Sequence, residues 1–258
     1  MIDVPELQAY LRASARRQYE AVPIPPFTLF FHPTDALPYF NYAIPDHAVA
    51  GDINGPLSEL QDVFARRARQ PRFEFLHEFA PDLGDILLMN GFHQQARQQC
   101  MICTPSTHCP VSPVPGLQVV MLDRHASITV AETLCVVQRR GFDPDSPSSP
   151  TPEEAAQFLH GLGDGRAFLA YLDGKPVGAG MFTAPIAGIA ELCGIATLVS
   201  YRRRGIATAL TAYAVQSAFD LGVHTLCLTA EDRPAGRVYE RVGFVPYATA
   251  LAFSVVGE

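Results

Sequence analysis

Three consecutive arginines and a glycine, Arg202-Arg203-Arg204-Gly205, lie between a predicted strand and a predicted helix. The first turn of a helix has backbone N–H groups without an internal partner and a partial positive charge, so it suits a phosphate or pyrophosphate. Gly205 lets the backbone approach such a ligand, the small Ala207 leaves room, and the arginines can add charge-assisted hydrogen bonds. The alternative is a solvated basic turn without a ligand. Because basic side chains at a helix start oppose the helix dipole, we favour a bound anion.

A second set of residues follows in the run Asp232-Arg-Pro-Ala235-Gly-Arg-Val-Tyr239-Glu-Arg-Val-Gly243-Phe244. This run resembles Asn-x-x-Ala-x-x-x-Tyr-x-x-x-Gly-Phe, a motif of the GNAT superfamily of acyl-CoA N-acyltransferases. The earlier segment, Arg202-x-x-Gly205-x-Ala207, resembles that superfamily's Arg/Gln-x-x-Gly-x-Gly/Ala motif. The two motifs occur in the family's order and spacing, and the resemblance covers residues 117–258.

The resemblance implies acetyl-CoA or coenzyme A as the cofactor. By this resemblance, backbone amides of residues 203–208 hold the pyrophosphate, and the strand end at residues 197–199 opens to pair with the pantetheine arm and the acyl carbonyl. Asp232 departs from the family's usual asparagine, and a carboxylate cannot donate a hydrogen bond to the pantetheine unless it is protonated. The implied cofactor-binding residues are Thr197, Leu198, Val199, Arg202, Arg203, Arg204, Gly205, Ile206, Ala207, Thr208, Asp232 and Ala235.

The resemblance also implies the chemistry, which is acyl transfer to an amine. An alkylammonium has no lone pair at neutral pH, so a base must accept its proton. Glu191, a lone carboxylate in an apolar predicted strand, is our candidate base, with a solvated edge residue as the alternative; His224 and Glu231 are weaker candidates. Tyr239 stands where the family places its general acid, and we predict that it donates a hydrogen bond to the leaving sulfur. Its alternative is a core tyrosine.

The elements that position these residues predict a mixed α/β fold of the GNAT type. Asp173-Gly174-Lys175 predicts a hairpin, and Thr151-Pro-Glu-Glu154 predicts a helix start with a capping box. The predicted helices are 6–20, 57–67, 81–89, 129–139, a helix beginning at Thr151, 206–221 and 234–242. The predicted strands are 72–79, 117–122, 166–172, 176–183, 189–200, 223–229 and one or two strands within 244–256, while the proline-rich stretch after residue 22 is predicted to be extended or turning.

A shift of 152 residues places several N-terminal elements on C-terminal ones, which predicts two tandem copies of one fold. The proline-rich composition of Cys103–Pro115 places the boundary there, giving an N-terminal domain over 1–112 and a catalytic domain over 113–258. Under the shift, Arg202–Thr208 falls on Ala50–Pro56, which has no arginine and has Asp52 at the phosphate position, and Tyr239 falls on Leu87. We therefore expect the N-terminal copy to be degenerate, to bind no cofactor and to shape the substrate cleft.

Composition excludes several classes of function. The net charge of −7 argues against a nucleic-acid partner, no apolar run is long enough to cross a bilayer, and the N-terminus lacks the pattern of a secretory signal. We therefore expect a cytoplasmic protein with free thiols. Cys100, Cys103, Cys109 and nearby histidines could bind zinc, but small buried thiols are the interpretation that we favour, and we expect no metal.

The sequence thus predicts an N-acetyltransferase that uses acetyl-CoA, or another short acyl-CoA, to modify a primary amine of a small molecule or peptide. A catalytically inactive acyl-CoA sensor is the alternative with the same cofactor motif, and an acceptor other than an amine is a third interpretation. The candidate substrate loops, at residues 23–45 and 146–151, carry no motif that names the acceptor. The sequence does not indicate an oligomeric state.

Overall fold

The computed structural model describes residues 2–49, 51–146 and 149–255, which form a mixed α/β fold. The chain divides into two compact units: residues up to Cys100 together with the segment from Tyr247 onward, and Met101–Pro246. In chain order the elements are α1 (Val4–Gln18), β1 (Glu20–Ile24), β2 (Phe27–Phe31), β3 (Asn41–Pro45), α2 (Asn54–Arg66), β4 (Arg72–Leu76), α3 (Leu83–Met89), β5 (His93–Cys103), β6 (Leu117–Leu122), α4 (Ile128–Phe142), α5 (Pro152–Leu162), β7 (Arg166–Leu172), β8 (Lys175–Phe182), β9 (Ile189–Thr197), α6 (Ile206–Asp220), β10 (Thr225–Ala230), α7 (Arg233–Glu240) and β11 (Val245–Ser254).

The first unit contains a sheet in the order β1-β2-β3-β4-β11. β1, β2 and β3 are antiparallel neighbours, β3 pairs with β4 in parallel, and β11 runs antiparallel to β4 with Ala250 opposite Leu76. Its core is rich in phenylalanine and includes Phe253 of β11 beside residues of α2 and α3. The segment that follows Tyr247 therefore completes this unit, although it is far from the rest of it in sequence.

The second unit contains the strand order β10-β9-β8-β7-β6, in which β9 and β10 are parallel and the other neighbours are antiparallel. Alternate residues of a strand point to opposite faces of a sheet. In β7, Phe168 and Ala170 belong to the core that includes α6, whereas Ala167 and Leu169 belong to the core formed with α4 and α5. α4 and α6 therefore pack on opposite faces of this sheet.

Several local predictions are confirmed. Thr151 and Glu154 form a reciprocal capping box at the start of α5, because the Thr151 side chain accepts from the Glu154 amide and the Glu154 side chain accepts from the Thr151 amide. The hairpin between β7 and β8 turns at Asp173 and Gly174, which both have positive φ angles, as short hairpin turns require. These two features of the second unit were therefore correctly predicted from local sequence.

Other boundaries differ from the prediction. The strand predicted over 189–200 ends at Thr197, because Val199–Tyr201 forms a short 3-10 turn instead. The proline-rich stretch contains β1, β2 and β3, whose hydrogen bonds come from pairing with one another. The C-terminal segment forms a single strand, and Val256 at its predicted end lies outside the described residues. Within the described ranges, no helix has the length and apolar character needed to cross a bilayer.

Candidate functional site

The turn between β9 and α6 has an unusual backbone. Arg203 has φ +61°, a left-handed conformation that is uncommon for a residue other than glycine, and Gly205 at the N-cap of α6 has φ +79°. No side chain of a described residue caps this helix start, and its first turn contains no acidic residue. The first hydrogen bond of the helix runs from the Ala209 N–H to the Gly205 carbonyl, at 3.0 Å. The preceding amides of α6 thus form an uncapped helix start suited to an anion.

The three arginines have different surroundings. Arg202 donates from Nη2 to the Gly141 carbonyl at 2.6 Å and from Nε to the Thr197 carbonyl at 3.2 Å, so its guanidinium joins the end of α4 to the end of β9. Arg204 lies over the Tyr201 ring, with 5.2 Å from its Cζ to the ring centroid. Arg203 is exposed, and its side chain donates to no acceptor within the described part of the chain. The contact of each arginine with the cofactor stays a prediction, and Arg203 has the guanidinium most available for it.

The strand that leads to this turn separates from its parallel neighbour. Pairing between β9 and β10 runs from Ile189 opposite Thr225 to Glu191 opposite Cys227. Thr197, at the end of β9, is buried, and its Oγ1 has no hydrogen-bond partner among the described residues. Such an orphaned buried polar atom is uncommon and suggests a partner outside the protein chain. Leu198 N–H donates to the Val177 carbonyl at 2.9 Å, and Val199 is exposed.

Asp232 and Ala235 are brought together at the start of α7. The Asp232 carboxylate accepts a hydrogen bond from the Ala235 amide at 2.7 Å, which makes Asp232 the N-cap of this helix. Asparagine and aspartate are both strong N-cap residues. The capping geometry therefore explains why aspartate can replace the asparagine of the family motif, while a contact of either residue with the cofactor stays a prediction.

Glu191 and Tyr239 both interact with a third residue, Cys193. Cys193 is half-buried on β9, and both carboxylate and phenol interact electrostatically with its sulfur. Burial, and secondarily the Glu191 charge, raise the pKa of the Cys193 thiol, so that it stays neutral. Burial is also the largest cause that raises the pKa of Tyr239, followed by Cys193 and Glu231, so the phenol keeps its proton at neutral pH. A protonated phenol is the form that can donate to sulfur.

The middle of β9 contains a bulge that the sequence analysis missed. Gly194 has φ +64°, and the register of β8 and β9 shifts between Ala179 and Met181. Gln138 of α4 donates from Nε2 to the Gly194 carbonyl at 3.1 Å. An isolated glycine within a strand pattern is a recognised signal of a bulge, and Gly194 was therefore detectable. Gln138 was not, because its partner is 56 positions away in sequence.

Comparisons with known proteins agree on one family. The model of the acetyltransferase (GNAT) family matches residues 133–244. The chain is similar to a GCN5-related N-acetyltransferase from Kribbella flavida, with 27% identity and a TM-score of 0.83 over 100% of this chain and 97% of that one. A GCN5-related N-acetyltransferase from Sphaerobacter thermophilus shares the fold at 15% identity, with a TM-score of 0.67 over 89% of this chain and 76% of that one.

A tandem GNAT protein from the clavulanic acid biosynthesis pathway also shares the fold, at 15% identity and with a TM-score of 0.63 over 89% of this chain and 78% of that one. A search of curated protein sequences found no match. Residues 133–244 therefore belong to the GNAT family. GNAT proteins are acyltransferases that generally use acetyl-CoA, and this chain has the GNAT fold, which it shares with a tandem GNAT protein.

Two further sets of candidates are His224 and the three cysteines considered as a zinc site. His224 lies within hydrogen-bond distance of the Thr225 hydroxyl, at 3.1 Å, and of the Ala187 carbonyl, at 3.0 Å, and its role as a base stays a prediction. Cys100 and Cys103 are buried, whereas Cys109 is exposed. In residues 2–49, 51–146 and 149–255, no group of three or more His, Cys, Asp or Glu side chains is arranged to hold a metal ion.

Proposed function

We propose that this GNAT protein transfers an acetyl or short acyl group from acyl-CoA to a primary amine of a small molecule or peptide. The observation that carries the proposal is the uncapped start of α6 at Gly205, in the turn after a strand that ends at the orphaned hydroxyl of Thr197. The helix start supplies amide donors for a pyrophosphate. The buried hydroxyl supplies a polar partner that the chain itself leaves unused.

The residues present fit coenzyme A. We infer that the amides of residues 203–208 and the exposed Arg203 guanidinium hold its pyrophosphate, and that Thr197–Val199 align its pantetheine arm along the end of β9. Arg202 contributes indirectly, because its two hydrogen bonds fix the carbonyls of Thr197 and Gly141. When bound, acetyl-CoA supplies an acyl group in a thioester, which is activated toward an amine nucleophile.

The chain's own groups would handle the protons. Glu191 lies at the last register pair of β9 with β10, where it can accept a proton from the ammonium form of the acceptor, directly or through water. Tyr239 keeps its phenolic proton at neutral pH and can donate a hydrogen bond to the departing sulfur. A phenol with a raised pKa is a poor full proton donor to a thiolate, so we assign Tyr239 the role of hydrogen-bond donor.

Two measurements test the proposal. Calorimetry should detect binding of acetyl-CoA to folded protein, and a thiol-detecting assay with amines, polyamines, amino acids and aminoglycosides should detect thiol release that depends on the amine. Absence of acetyl-CoA binding would refute the cofactor assignment. Binding without thiol release from any acceptor class would instead support the alternative, an acyl-CoA sensor without turnover.

A further inference from the structure

Helix α4 holds the part of β9 that no longer pairs with β10. Its Gln138 donates to the Gly194 carbonyl, and the Gly141 carbonyl accepts from Arg202, which also donates to Thr197. A methyl group added at Gly141 would lie 2.7 Å from the Ala196 Cβ, so the helix backbone rests directly on the strand. The strand segment from Gly194 to Thr197 is therefore fixed at its two ends by hydrogen bonds and in between by packing.

The bulge at Gly194 depends on glycine on both strands. A Cβ at Gly194 would lie 2.1 Å from Gln138 Nε2, and one at Gly180 on β8 would lie 2.3 Å from the Ile195 Cδ1. The left-handed conformation of Gly194 adds a further requirement for glycine. Gln138 therefore contacts the bulge directly, at Gly194, the residue of β9 with a positive φ angle.

The Gln138 hydrogen bond sets the direction of one peptide group. The Gly194 carbonyl and the Ile195 N–H belong to the same trans peptide, in which the two groups point in opposite directions. Because Gln138 holds the carbonyl toward α4, the Ile195 N–H points away from α4. Ile195 lies two residues beyond Cys193 and four beyond Glu191, the last residue of β9 that pairs with β10.

We propose that Gln138 is a positioning residue for acyl transfer: by holding the Gly194 carbonyl, it aims the Ile195 amide at the acyl carbonyl of the bound cofactor. This inference rests on the proposed function, which supplies the acyl group. An amide aimed in advance stabilises negative charge on the acyl oxygen as an amine attacks. Gln138 acts through the peptide and does not touch the acyl group itself.

The first test is Gln138→Leu, which removes the donor and keeps a side chain of similar size. We expect kcat to fall about 10- to 100-fold, because a preorganised donor of this kind contributes up to about 100- to 1000-fold and the peptide is only partly released. The dissociation constant for acetyl-CoA should change less than about threefold. Gln216→Leu is the matched control, because Gln216 donates to Asp220 on the exposed face of α6, and it should keep wild-type kcat. A kcat within twofold of wild type for Gln138→Leu would overturn the proposal.

The second test uses Gln138→Glu, which keeps the shape but donates only when protonated. The ratio of wild-type to variant kcat should decrease as pH falls toward the pKa of a carboxyl group, whereas the ratio for Gln138→Leu should stay constant. A merely structural role predicts no such recovery. If the ratio of wild-type kcat to Gln138→Glu kcat does not change with pH, the inference is contradicted, even if the leucine variant fails to fold.

A third measurement does not depend on turnover. In protein labelled with 15N-isoleucine, with the Ile195 resonance assigned through Ile195→Val, acetyl-CoA should shift the Ile195 amide signal of the wild type. The shift should be much smaller in Gln138→Glu at neutral pH. If the wild type binds acetyl-CoA but acetylates no amine, the proposed function fails while this shift still supports the positioning role. Binding of acetyl-CoA without any change at Ile195 would overturn the positioning role alone.

Discussion

In both units a helix follows a strand, but the first amides of the two helices differ in their side-chain partners. At the start of α2 in the first unit, the Asp52 carboxylate accepts a hydrogen bond from the Asn54 amide at 2.9 Å. At the start of α6 in the second unit, no described side chain does so, and the residue at the position of Asp52 under the 152-residue shift is Arg204. One helix start is neutralised by the protein's own carboxylate, while the other is left for an external anion.

The same contrast extends to the groups that would move protons. Leu87, at the position of Tyr239, is fully buried in the first unit's core, and Tyr39, at the position of Glu191, is exposed in a short 3-10 turn. The position of Arg202 is Ala50, which lies outside the described residues. The comparison indicates that a shared fold is retained in the first unit without the charges and hydroxyl groups that the chemistry requires. That the first unit binds no cofactor stays a prediction.

The largest effect is expected for Glu191→Gln, which removes the base that the first unit lacks. We expect kcat to fall by about 100- to 10,000-fold, the usual contribution of general base catalysis, with little change in acetyl-CoA affinity. Steady-state thiol release at saturating acetyl-CoA and amine checks kcat, and calorimetry checks the affinity for acetyl-CoA. A variant with wild-type kcat would remove Glu191 from the mechanism.

Arg204→Asp should give the second helix start the character of the first. The new carboxylate can accept from the Ile206 amide and repel the pyrophosphate, so acetyl-CoA should bind about 10- to 100-fold more weakly, as expected for the loss of a hydrogen bond of about 1.5–3 kcal/mol to a charged group. Thermal stability should be unchanged or higher, because the helix gains a cap. Calorimetry and thermal unfolding measure the two effects, with Arg204→Gln as the control for charge. Unchanged affinity in the aspartate variant would place the pyrophosphate elsewhere.

Tyr239→Phe removes the hydroxyl group at the position that Leu87 occupies in the first unit. We expect a decrease of about 10- to 30-fold in kcat, from the loss of about 1.5–2 kcal/mol of hydrogen bonding to the developing thiolate. Because burial raises the Tyr239 pKa, the wild type keeps this donor at neutral pH and loses it only as pH rises above the ordinary phenol value of about 10. The ratio of wild-type to variant kcat should therefore be constant between about pH 6 and pH 9. A ratio that declines within this range would show that the phenol ionises earlier.

The smallest effect on function is expected for Asp52→Ala in the first unit. Loss of the bond to the Asn54 amide should lower the free energy of unfolding by about 0.5–2 kcal/mol, the usual range for a helix-start side chain. Acetyl-CoA affinity and stoichiometry should not change. Calorimetry that detects a second binding site in this variant would mean that Asp52 alone kept the first unit empty.

Local signals determined what the sequence could predict. The capping box at Thr151, the hairpin at Asp173 and the bounds of β6 and β7 depend on neighbouring residues, and these predictions agree with the structure. The proline-rich stretch was predicted only as extended or turning chain, because the pairing of its strands with each other is not encoded in residue preferences.

In the candidate site, too, the features set by neighbouring residues could be predicted and those set by distant residues could not. The order of strand, turn and helix around Gly205 is local and could be predicted, as could the position of Tyr239 through the family motif. The uses of Arg202 and Gln138 could not, because each side chain bonds to a carbonyl about 60 positions away, 61 for Arg202 and 56 for Gln138. The interactions of Cys193 with Glu191 and Tyr239 could not be predicted either, because they arise only in the folded chain.

The pairing of β11 with β4 has a consequence for biosynthesis. A ribosome makes the rest of the first unit's sheet early, but the strand opposite Arg72–Leu76 emerges only after the whole second unit has been translated. Until then β4 presents an unpaired edge, which is prone to pairing with other nascent chains. A fragment that stops at residue 112 would keep that edge permanently, so it should be recovered largely as aggregate unless a peptide spanning residues 245–254 is supplied in trans.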